Sequence, residues 1–185
     1  FMNQWVHQMK TPVSVINLLL QDRTNDNIND TLDSIAEENE KITHGLEMML
    51  YNSRLTQFNL DFKVDKVDIL SIVRQVINNN KKSLIRHSIY PKIICPETIY
   101  VETDSKWITF VINQILVNAI KYSKDVALEE KYITFEIKDE GPRIVLSIED
   151  QGIGIPKEDR TRVFNAFFTG KNGRKTSEST GMGMY

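Results

Sequence analysis

The sequence is poor in cysteine and has no long hydrophobic run. Its 185 residues include one cysteine, Cys95, so the internal disulfide framework that holds many small secreted proteins together is excluded. Within Ile93-Ile94-Cys95 this residue is predicted to be a small core residue of a strand, which fits a reducing compartment. No apolar run approaches the roughly 20 residues that span a bilayer, and nothing resembles a signal peptide.

An excess of charge of one sign is also missing. The 23 lysines and arginines nearly balance the 25 aspartates and glutamates, which gives a net charge of −2. This balance provides no field that would gather nucleic acid or an anionic membrane, so no nucleic-acid partner is expected. The 41% hydrophobic content is ordinary for a globular protein, and the length allows one or two domains.

The first third of the chain has the periodicity of two amphipathic helices. Apolar residues recur every three or four positions across residues 2–20 and again across 28–53, separated by a polar turn at 21–27. The two helices are predicted to form an antiparallel hairpin. A hairpin has too little second surface to bury both apolar stripes, so two copies are predicted to form a dimeric four-helix bundle. Asn39 occupies a seam position and is expected to help fix the register.

The remainder is predicted to form an α+β domain with a mixed sheet. Asp68 and Asp104 are placed to cap two apolar helices, and further short elements alternate with them. The predicted helices are 69–77, 105–122 and 157–164, and the predicted strands are 61–67, 93–95, 99–102, 132–138 and 143–149. Residues 169–183 are predicted to form a mobile loop. The junction near Asn59 divides the chain into predicted domains 1–58 and 59–185.

Two motifs of the second domain can carry chemistry. In Asn118-Ala-Ile-Lys-Tyr122, the Asn118 carbonyl suits Mg²⁺ and Lys121 can meet a phosphate, although such residues near a helix end are usually a solvated face. In Asp150-Gln-Gly-Ile-Gly154, the carboxylate can accept a hydrogen bond from an exocyclic amine, and the glycines allow backbone to lie against a flat ring. Taken alone, this motif is equally consistent with an ordinary glycine-rich turn.

Three further stretches are individually weak. Phe164-Asn-Ala-Phe-Phe168 is by itself more typical of a core than of a contact surface. Ser179-Thr-Gly-Met-Gly183 offers backbone N–H groups to phosphate oxygens, but a lone Gly-x-Gly has little value. His7 lies beside the apolar stripe of the first helix, near Pro12 in mid-pattern, and on that stretch alone a surface histidine and a functional one are equally supported.

The order and spacing of these motifs are more specific than any one of them. An asparagine helix, an Asp-x-Gly-x-Gly turn, a Phe-rich segment, a polar lid and a Gly-x-Gly together resemble the Bergerat-type (GHKL) ATP-binding domain of sensor histidine kinases of two-component systems. His7-Gln-Met-Lys-Thr-Pro12 resembles the phosphoacceptor box of the same family, so the resemblance covers essentially the whole chain. Residues 5–8 and 58–62 resemble the small kinases associated with peptide-antibiotic (bacitracin-type) transporters in Firmicutes.

On the first helix, the resemblance makes His7 the phosphorylated residue. Thr11, one turn further along the same face, matches the position that aligns a water for dephosphorylating the partner. Gln8 stands where most relatives have an acidic residue. Its amide oxygen can hold the Nδ1 proton of the imidazole but cannot accept it fully, so Gln8 is expected to fix the tautomer.

In the ATP-binding part, the resemblance implies that Asn118 holds Mg²⁺ together with Gln114, which stands where many relatives have another asparagine. The other implied nucleotide contacts are Lys121 near the phosphates, Tyr122 beside the nucleotide, Asp150 at the adenine amine, Gly152 and Gly154 around that pocket, Phe168 bracing the lid, and Gly181 and Gly183 starting a helix at the phosphates. Relatives continue after these glycines with a helix and closing strands, so the predicted sandwich is C-terminally incomplete.

The resemblance implies a histidine protein kinase that autophosphorylates His7 from Mg-ATP, transfers the phosphoryl group to a response-regulator aspartate and has phosphatase activity. It further implies a homodimer, a cytoplasmic fragment of a bacterial cell-membrane protein, and an ABC-type peptide-antibiotic transporter as a partner. One alternative is a nucleotide-binding dimeric scaffold without kinase chemistry, which loss of Asn118 or Asp150 would have favoured. Another is an ATPase or serine kinase of the same nucleotide fold; such proteins lack a helical hairpin bearing His-x-x-Lys-Thr-Pro.

Overall fold

The computed structural model describes residues 2–21, 27–55, 62–165 and 168–170. The chain divides into two compact units, Phe1–Asp61 and Phe62–Tyr185. The predicted boundary between residues 58 and 59 lies outside the described residues and stays a prediction. In the described ranges, no helix combines the length and the apolar character that crossing a membrane requires.

The first unit contains the two predicted helices. Helix α1 is Met2–Gln21 and helix α2 is Ile28–Leu55, while most of the polar turn predicted between them lies outside the described residues. Pro12 stands inside α1 and its side chain is buried. The helix continues through the proline, although this residue supplies no N–H for the backbone ladder.

Contacts near one end of the hairpin hold α1 against α2. The indole Nε1 of Trp5 donates to the carbonyl oxygen of Gly45 at 3.0 Å. Gly45 is buried, and a Cβ atom added there would lie 2.7 Å from the Met9 sulfur, so the flexible Met9 side chain would have to move. Several large apolar side chains of the hairpin nevertheless remain exposed: Val6, Val13, Leu18, Leu20, Ile28, Leu32, Leu46 and Leu50.

The second unit has the predicted α+β composition with a mixed sheet. Its elements, in chain order, are β1 (Asp65–Asp68), α3 (Ile69–Asn79), α4 (Lys81–Arg86), β2 (Ile89–Ile94), β3 (Tyr100–Thr103), α5 (Ser105–Ser123), β4 (Lys131–Asp139) and β5 (Ile144–Asp150). Strands β1 and β3 form an antiparallel pair. Strand β4 lies between β2, which is parallel to it, and β5, which is antiparallel.

The core lies between the three-stranded sheet and helices α3 and α5. Three alternate residues of β4, Ile133, Phe135 and Ile137, are completely buried, as the period of two in this strand predicts. They join one apolar cluster with side chains of both helices: Ile69, Ile72, Val73 and Val76 from α3, and Ile112, Leu116, Ala119 and Ile120 from α5. This packing fixes the inward face of α5.

Both predicted aspartate caps are confirmed. The carboxylate of Asp68 accepts from the backbone N–H of Leu70 and begins α3, and that of Asp104 accepts from Lys106 and Trp107 and begins α5. Asp104 also accepts from the N–H of Lys63 at 2.9 Å. Burial alone would raise the pKa of Asp104, but these three backbone hydrogen bonds and the charge of Lys106 outweigh it and leave the pKa below its ordinary value.

Two predicted strands begin several residues away from the observed ones. The strand predicted at 93–95 begins earlier, at Ile89, and runs through Pro91, which is tolerated because β2 is an edge strand. Cys95 lies just after this strand and is half-buried; its thiol donates to the Glu97 carbonyl oxygen at 2.9 Å. The first strand begins at Asp65 rather than at residue 61.

The prediction of a helix over residues 157–164 is wrong. Four backbone N–H groups in this region donate to the carbonyl three residues earlier, from Asp159 to Pro156 through Phe168 to Asn165, so the chain forms consecutive turns. The mainly charged stretch after Pro156 has no apolar stripe of helical period that could pack against the core. The buried side chain here is that of Asp159.

Candidate functional site

The C-terminal half of α5 carries four of the predicted nucleotide-site residues. Asn118, Lys121 and Tyr122 are half-buried, and Gln114 is 4% exposed. Neither amide atom of Gln114 has a hydrogen-bond partner among the described residues. Burying an unpaired amide is costly, so this side chain marks a place where a polar partner is expected. The Lys121 ammonium lies 5.6 Å from the centre of the Tyr122 ring.

The Asp-x-Gly-x-Gly turn packs against the end of this helix. The N–H of Ile153 donates to the carbonyl oxygen of Tyr122 at 3.2 Å. A Cβ atom added to Gly152 would lie 2.7 Å from that same oxygen and 2.6 Å from Asp150 Oδ1. Gly154 has a φ of +65°, a conformation that favours glycine. The glycines therefore permit both the close approach and the path of the turn.

Asp150 follows directly from β5 and is exposed. Its Oδ1 accepts from the N–H of Gly152 at 2.8 Å, which orients the carboxylate. None of the described residues donates to Oδ2, so this oxygen can accept a hydrogen bond from a ligand. The structure thus joins the Asn118 helix and the Asp150 turn, two motifs that are about thirty positions apart in the sequence, through the Ile153–Tyr122 hydrogen bond.

In the Phe-rich segment, the structure describes Phe164, Asn165 and Phe168. Phe164 is 64% exposed, which contradicts a core role for this residue. Phe168 is half-buried, and the guanidinium of Arg162 lies 4.4 Å from its ring centre. Gly181 and Gly183 lie outside the described residues, as do residues 171–183 of the loop predicted over 169–183, and their roles stay predictions.

The first unit places the phosphoacceptor candidate at the surface. His7 and Thr11 are both exposed on α1 and are one helical turn apart, so they share a face of the helix. Gln8 is half-buried and makes no hydrogen bond with the His7 ring. The exposed His7 side chain is accessible to a reacting group, and the tautomer role of Gln8 stays a prediction.

Sequence reasoning missed three side chains near the nucleotide-site motifs. Lys131 is buried and its Nζ donates to the carbonyl oxygen of Lys124 at 2.8 Å. Gln151 accepts from the N–H of Tyr132 at 2.9 Å. Asp159 is buried within the turns that follow Pro156. The sequence offered no signal for Lys131, whereas Gln151 is the variable residue of a motif that had already been recognised.

A separate cavity of about 470 Å³ opens at the other end of the sheet. It is lined by the last residue of β2 and the residues that follow it, 94–97 and Ile99, and by residues 136–139 at the end of β4. Asp150 pairs with Ile133 near the beginning of β4, whereas the cavity lies at the end of this strand. None of the residues that line the cavity belongs to the predicted site.

Comparison with known proteins assigns residues 103–185 to a family. This segment matches the family model described as "Histidine kinase-, DNA gyrase B-, and HSP90-like ATPase". It begins at the last residue of β3, and it contains α5 and the Asp150 turn.

Two curated relatives match essentially the whole chain. Sensor histidine kinase YxdK of Bacillus subtilis is 40% identical over 185 residues, which are 100% of this chain and 55% of that protein. Sensor protein kinase GraS of Staphylococcus aureus is 35% identical over 187 residues, which cover 98% of this chain and 50% of that protein. The chain therefore spans about half the length of the curated relatives it matches.

Solved structures support the fold. Histidine kinase AdeS of Acinetobacter baumannii matches with a TM-score of 0.62 and 22% identity, over 83% of this chain and 76% of that chain. Histidine kinase ThkA, solved in complex with response regulator protein TrrA, matches with a TM-score of 0.61 and 17% identity, over 89% of this chain and 48% of that chain. The chain is therefore related by sequence, over essentially its whole length, to sensor histidine kinases, and its residues 103–185 match the ATPase family described above.

Proposed function

We propose that this chain is the phosphoacceptor and ATP-binding part of a histidine protein kinase, which autophosphorylates His7 from Mg-ATP and passes the phosphoryl group to a response-regulator aspartate. The observation that carries the proposal is the packing of the Asp150 turn on the end of the Asn118 helix, in a chain whose other unit exposes His7. The scaffold alternative is not favoured, because the residues for nucleotide binding and for phosphoryl acceptance are present together.

On the nucleotide side, Asp150 is the residue proposed to read the adenine. Its Oδ1 is held by the N–H of Gly152, and Oδ2 is left to accept from the exocyclic amine. Gly152 and Gly154 keep the turn free of side chains at that place. Lys121 and Tyr122 lie on the adjoining helix end, where a cation can meet phosphate oxygens.

The residues of α5 fit a magnesium ion held with the nucleotide. Gln114 has a buried amide oxygen without a partner among the described residues, one turn before Asn118. Amide oxygens are hard ligands of the kind Mg²⁺ accepts, usually alongside substrate phosphates and waters. Asn118 and Gln114 would hold the ion, which neutralises phosphate charge when it is bound.

On the acceptor side, the exposed imidazole of His7 supplies the nucleophile. Its Nε2 lone pair forms the bond to the γ-phosphorus while the bond from that phosphorus to the bridging oxygen of ADP breaks, and ADP leaves. Gln8 is proposed to hold the Nδ1 proton, so that Nε2 is the free nitrogen. Thr11 is proposed to align the water that dephosphorylates the response regulator.

Partners follow from the same proposal. The response regulator is supported by the solved complex of the related fold, ThkA with TrrA. A homodimer is supported by the apolar side chains that the hairpin leaves exposed. The association with an ABC-type peptide-antibiotic transporter and the membrane location stay predictions.

Incubation of the chain with γ-labelled ATP and Mg²⁺ tests the reaction. We expect an acid-labile, base-stable label on the protein, absent in His7→Ala and retained in His44→Ala, which is the matched control on α2. Acid-stable label would indicate a serine or threonine acceptor and contradict the proposal. Binding of ATP without any label would favour the scaffold.

A further inference from the structure

Three hydrogen bonds join the end of α5 to the start of β4 and to the Asp150 turn. The Nζ of Lys131 donates to the Lys124 carbonyl oxygen at 2.8 Å, where α5 ends. The N–H of the next residue, Tyr132, donates to Gln151 Oε1 at 2.9 Å. The N–H of Ile153, in the turn after Asp150, donates to the Tyr122 carbonyl oxygen of α5. We call Lys131, Gln151 and Ile153, with these bonds, the α5 clamp.

Lys131 is an unusual residue for this position. It is 7% exposed, whereas most lysines keep the amine in water, and burial without a partner would be costly. The amine donates to the carbonyl oxygen of Lys124, the C-cap of α5. The last carbonyls of a helix have no N–H of a following turn to accept from, and they form the negative end of the helix dipole. The intervening residues 125–130 form no helix or strand, so Lys131 supplies a direct tie between α5 and β4.

Gln151 extends the sheet by one contact. The backbone pairing of β4 with β5 ends at Ile133 and Asp150. Gln151 follows, and its side-chain oxygen accepts the hydrogen bond from the N–H of Tyr132. A backbone carbonyl would accept this bond if β5 continued by one residue. This contact fixes where the chain leaves the sheet, and therefore where the turn after Asp150 begins.

We propose that Lys131 and Gln151 are positioning residues that set the separation between the Asn118 helix and the Asp150 turn. The inference rests on the proposed nucleotide function. One side of the proposed site is the end of α5, and the other is the turn after Asp150. The α5 clamp links both of them to the start of β4. A change of a few tenths of an ångström at either end would alter how adenine and phosphates are held at the same time.

Nucleotide titration of the 185-residue chain with Mg²⁺ tests the clamp, with ATP and inosine triphosphate as the two probes. Inosine triphosphate has an oxygen in place of the amine that Asp150 is proposed to read. We expect Lys131→Met and Gln151→Met each to weaken ATP binding about tenfold. We also expect each to lower the ratio of the affinity for ATP to the affinity for inosine triphosphate, which measures the preference for ATP. Purely structural roles would lower the melting temperature without changing that preference.

Lys138→Met is the matched control, because it makes the same change at an exposed lysine of the same strand. It is expected to leave both affinities unchanged. If Lys131→Met does not fold, Gln151→Met decides, since that side chain is exposed and its loss leaves the core intact. An ATP preference that stays unchanged in the folded variants overturns the clamp. Failure of the unaltered chain to bind ATP would instead overturn the proposed nucleotide function.

Discussion

At the scale of single residues, Gly152 is the position where one added methyl group is expected to disturb the nucleotide site most. A Cβ atom there would lie 2.7 Å from the Tyr122 oxygen and 2.9 Å from its carbonyl carbon. These are backbone atoms of a helix packed into the core, so the turn would have to move. We expect Gly152→Ala to weaken ATP binding at least about tenfold and to lower the free energy of unfolding by about 1–3 kcal/mol.

Gly154→Ala provides the comparison, since no heavy atom lies within 4 Å of a Cβ atom added at that position. Its cost is confined to the positive φ of +65°, about 1 kcal/mol. ATP titration and urea unfolding of both variants measure the difference. Equal losses of ATP affinity in the two variants would show that contact with the Tyr122 carbonyl is not what makes Gly152 important.

At the scale of elements, α5 depends on the cap at its beginning. Asp104 accepts from the backbone of Lys106 and Trp107, and also from Lys63 ahead of β1. Asp104→Ala removes all three hydrogen bonds from a buried acceptor. We expect the free energy of unfolding to fall by about 2 kcal/mol at neutral pH, toward the upper end of the usual range for a helix cap.

The pH dependence of this loss follows from the direction of the pKa. Because the pKa of Asp104 is lowered in the folded chain, its contribution is fully present above the ordinary aspartate value of about 3.9 and disappears as the pH falls through the lower folded value. Urea unfolding of both proteins between pH 7 and pH 3 should therefore show a constant difference down to about pH 4 and a shrinking one below it. A difference that changed between pH 7 and pH 5 would point to another group.

The elements differ in how well the sequence could predict them. Asp68 and Asp104 were predictable as caps because an aspartate ahead of an apolar run is a local signal. The helix predicted after Pro156 is wrong because proline is common at the start of helices but does not by itself specify one. Whether such a stretch becomes a helix depends on packing against residues distant in the sequence. The contact of Lys131 with Lys124 could not be predicted, since a lysine opening an alternating strand resembles any solvated lysine.

At the scale of the whole molecule, the order of the motifs predicted more than any motif did. His7, Asn118 and Asp150 were each ambiguous, and their joint occurrence pointed to a fold that the comparison of solved structures supports. The contact between the Asn118 helix and the Asp150 turn was beyond sequence reasoning, because it depends on the carbonyl of Tyr122 meeting the N–H of Ile153 across the fold.

The apolar surface of the hairpin leads to a prediction about assembly. Leu32 on α2 is 57% exposed and lies in the stripe predicted to form the dimer seam. Each leucine buried in such a seam contributes about 1.5–3 kcal/mol, and a twofold interface contains every such residue twice. Sedimentation equilibrium of the unaltered chain should give twice the mass of one chain, whereas Leu32→Glu should be shifted toward the single chain.

Ser34→Glu is the control for this substitution, because it adds the same carboxylate at an exposed position outside the apolar stripe. It should sediment as the unaltered chain does. Far-ultraviolet circular dichroism of Leu32→Glu must show the helix content of the parent, so that a lower mass reflects dissociation rather than unfolding. A Leu32→Glu chain that keeps both its helices and its dimeric mass would place the seam on another face of the hairpin, since a buried carboxylate without a partner would not be tolerated in the proposed one.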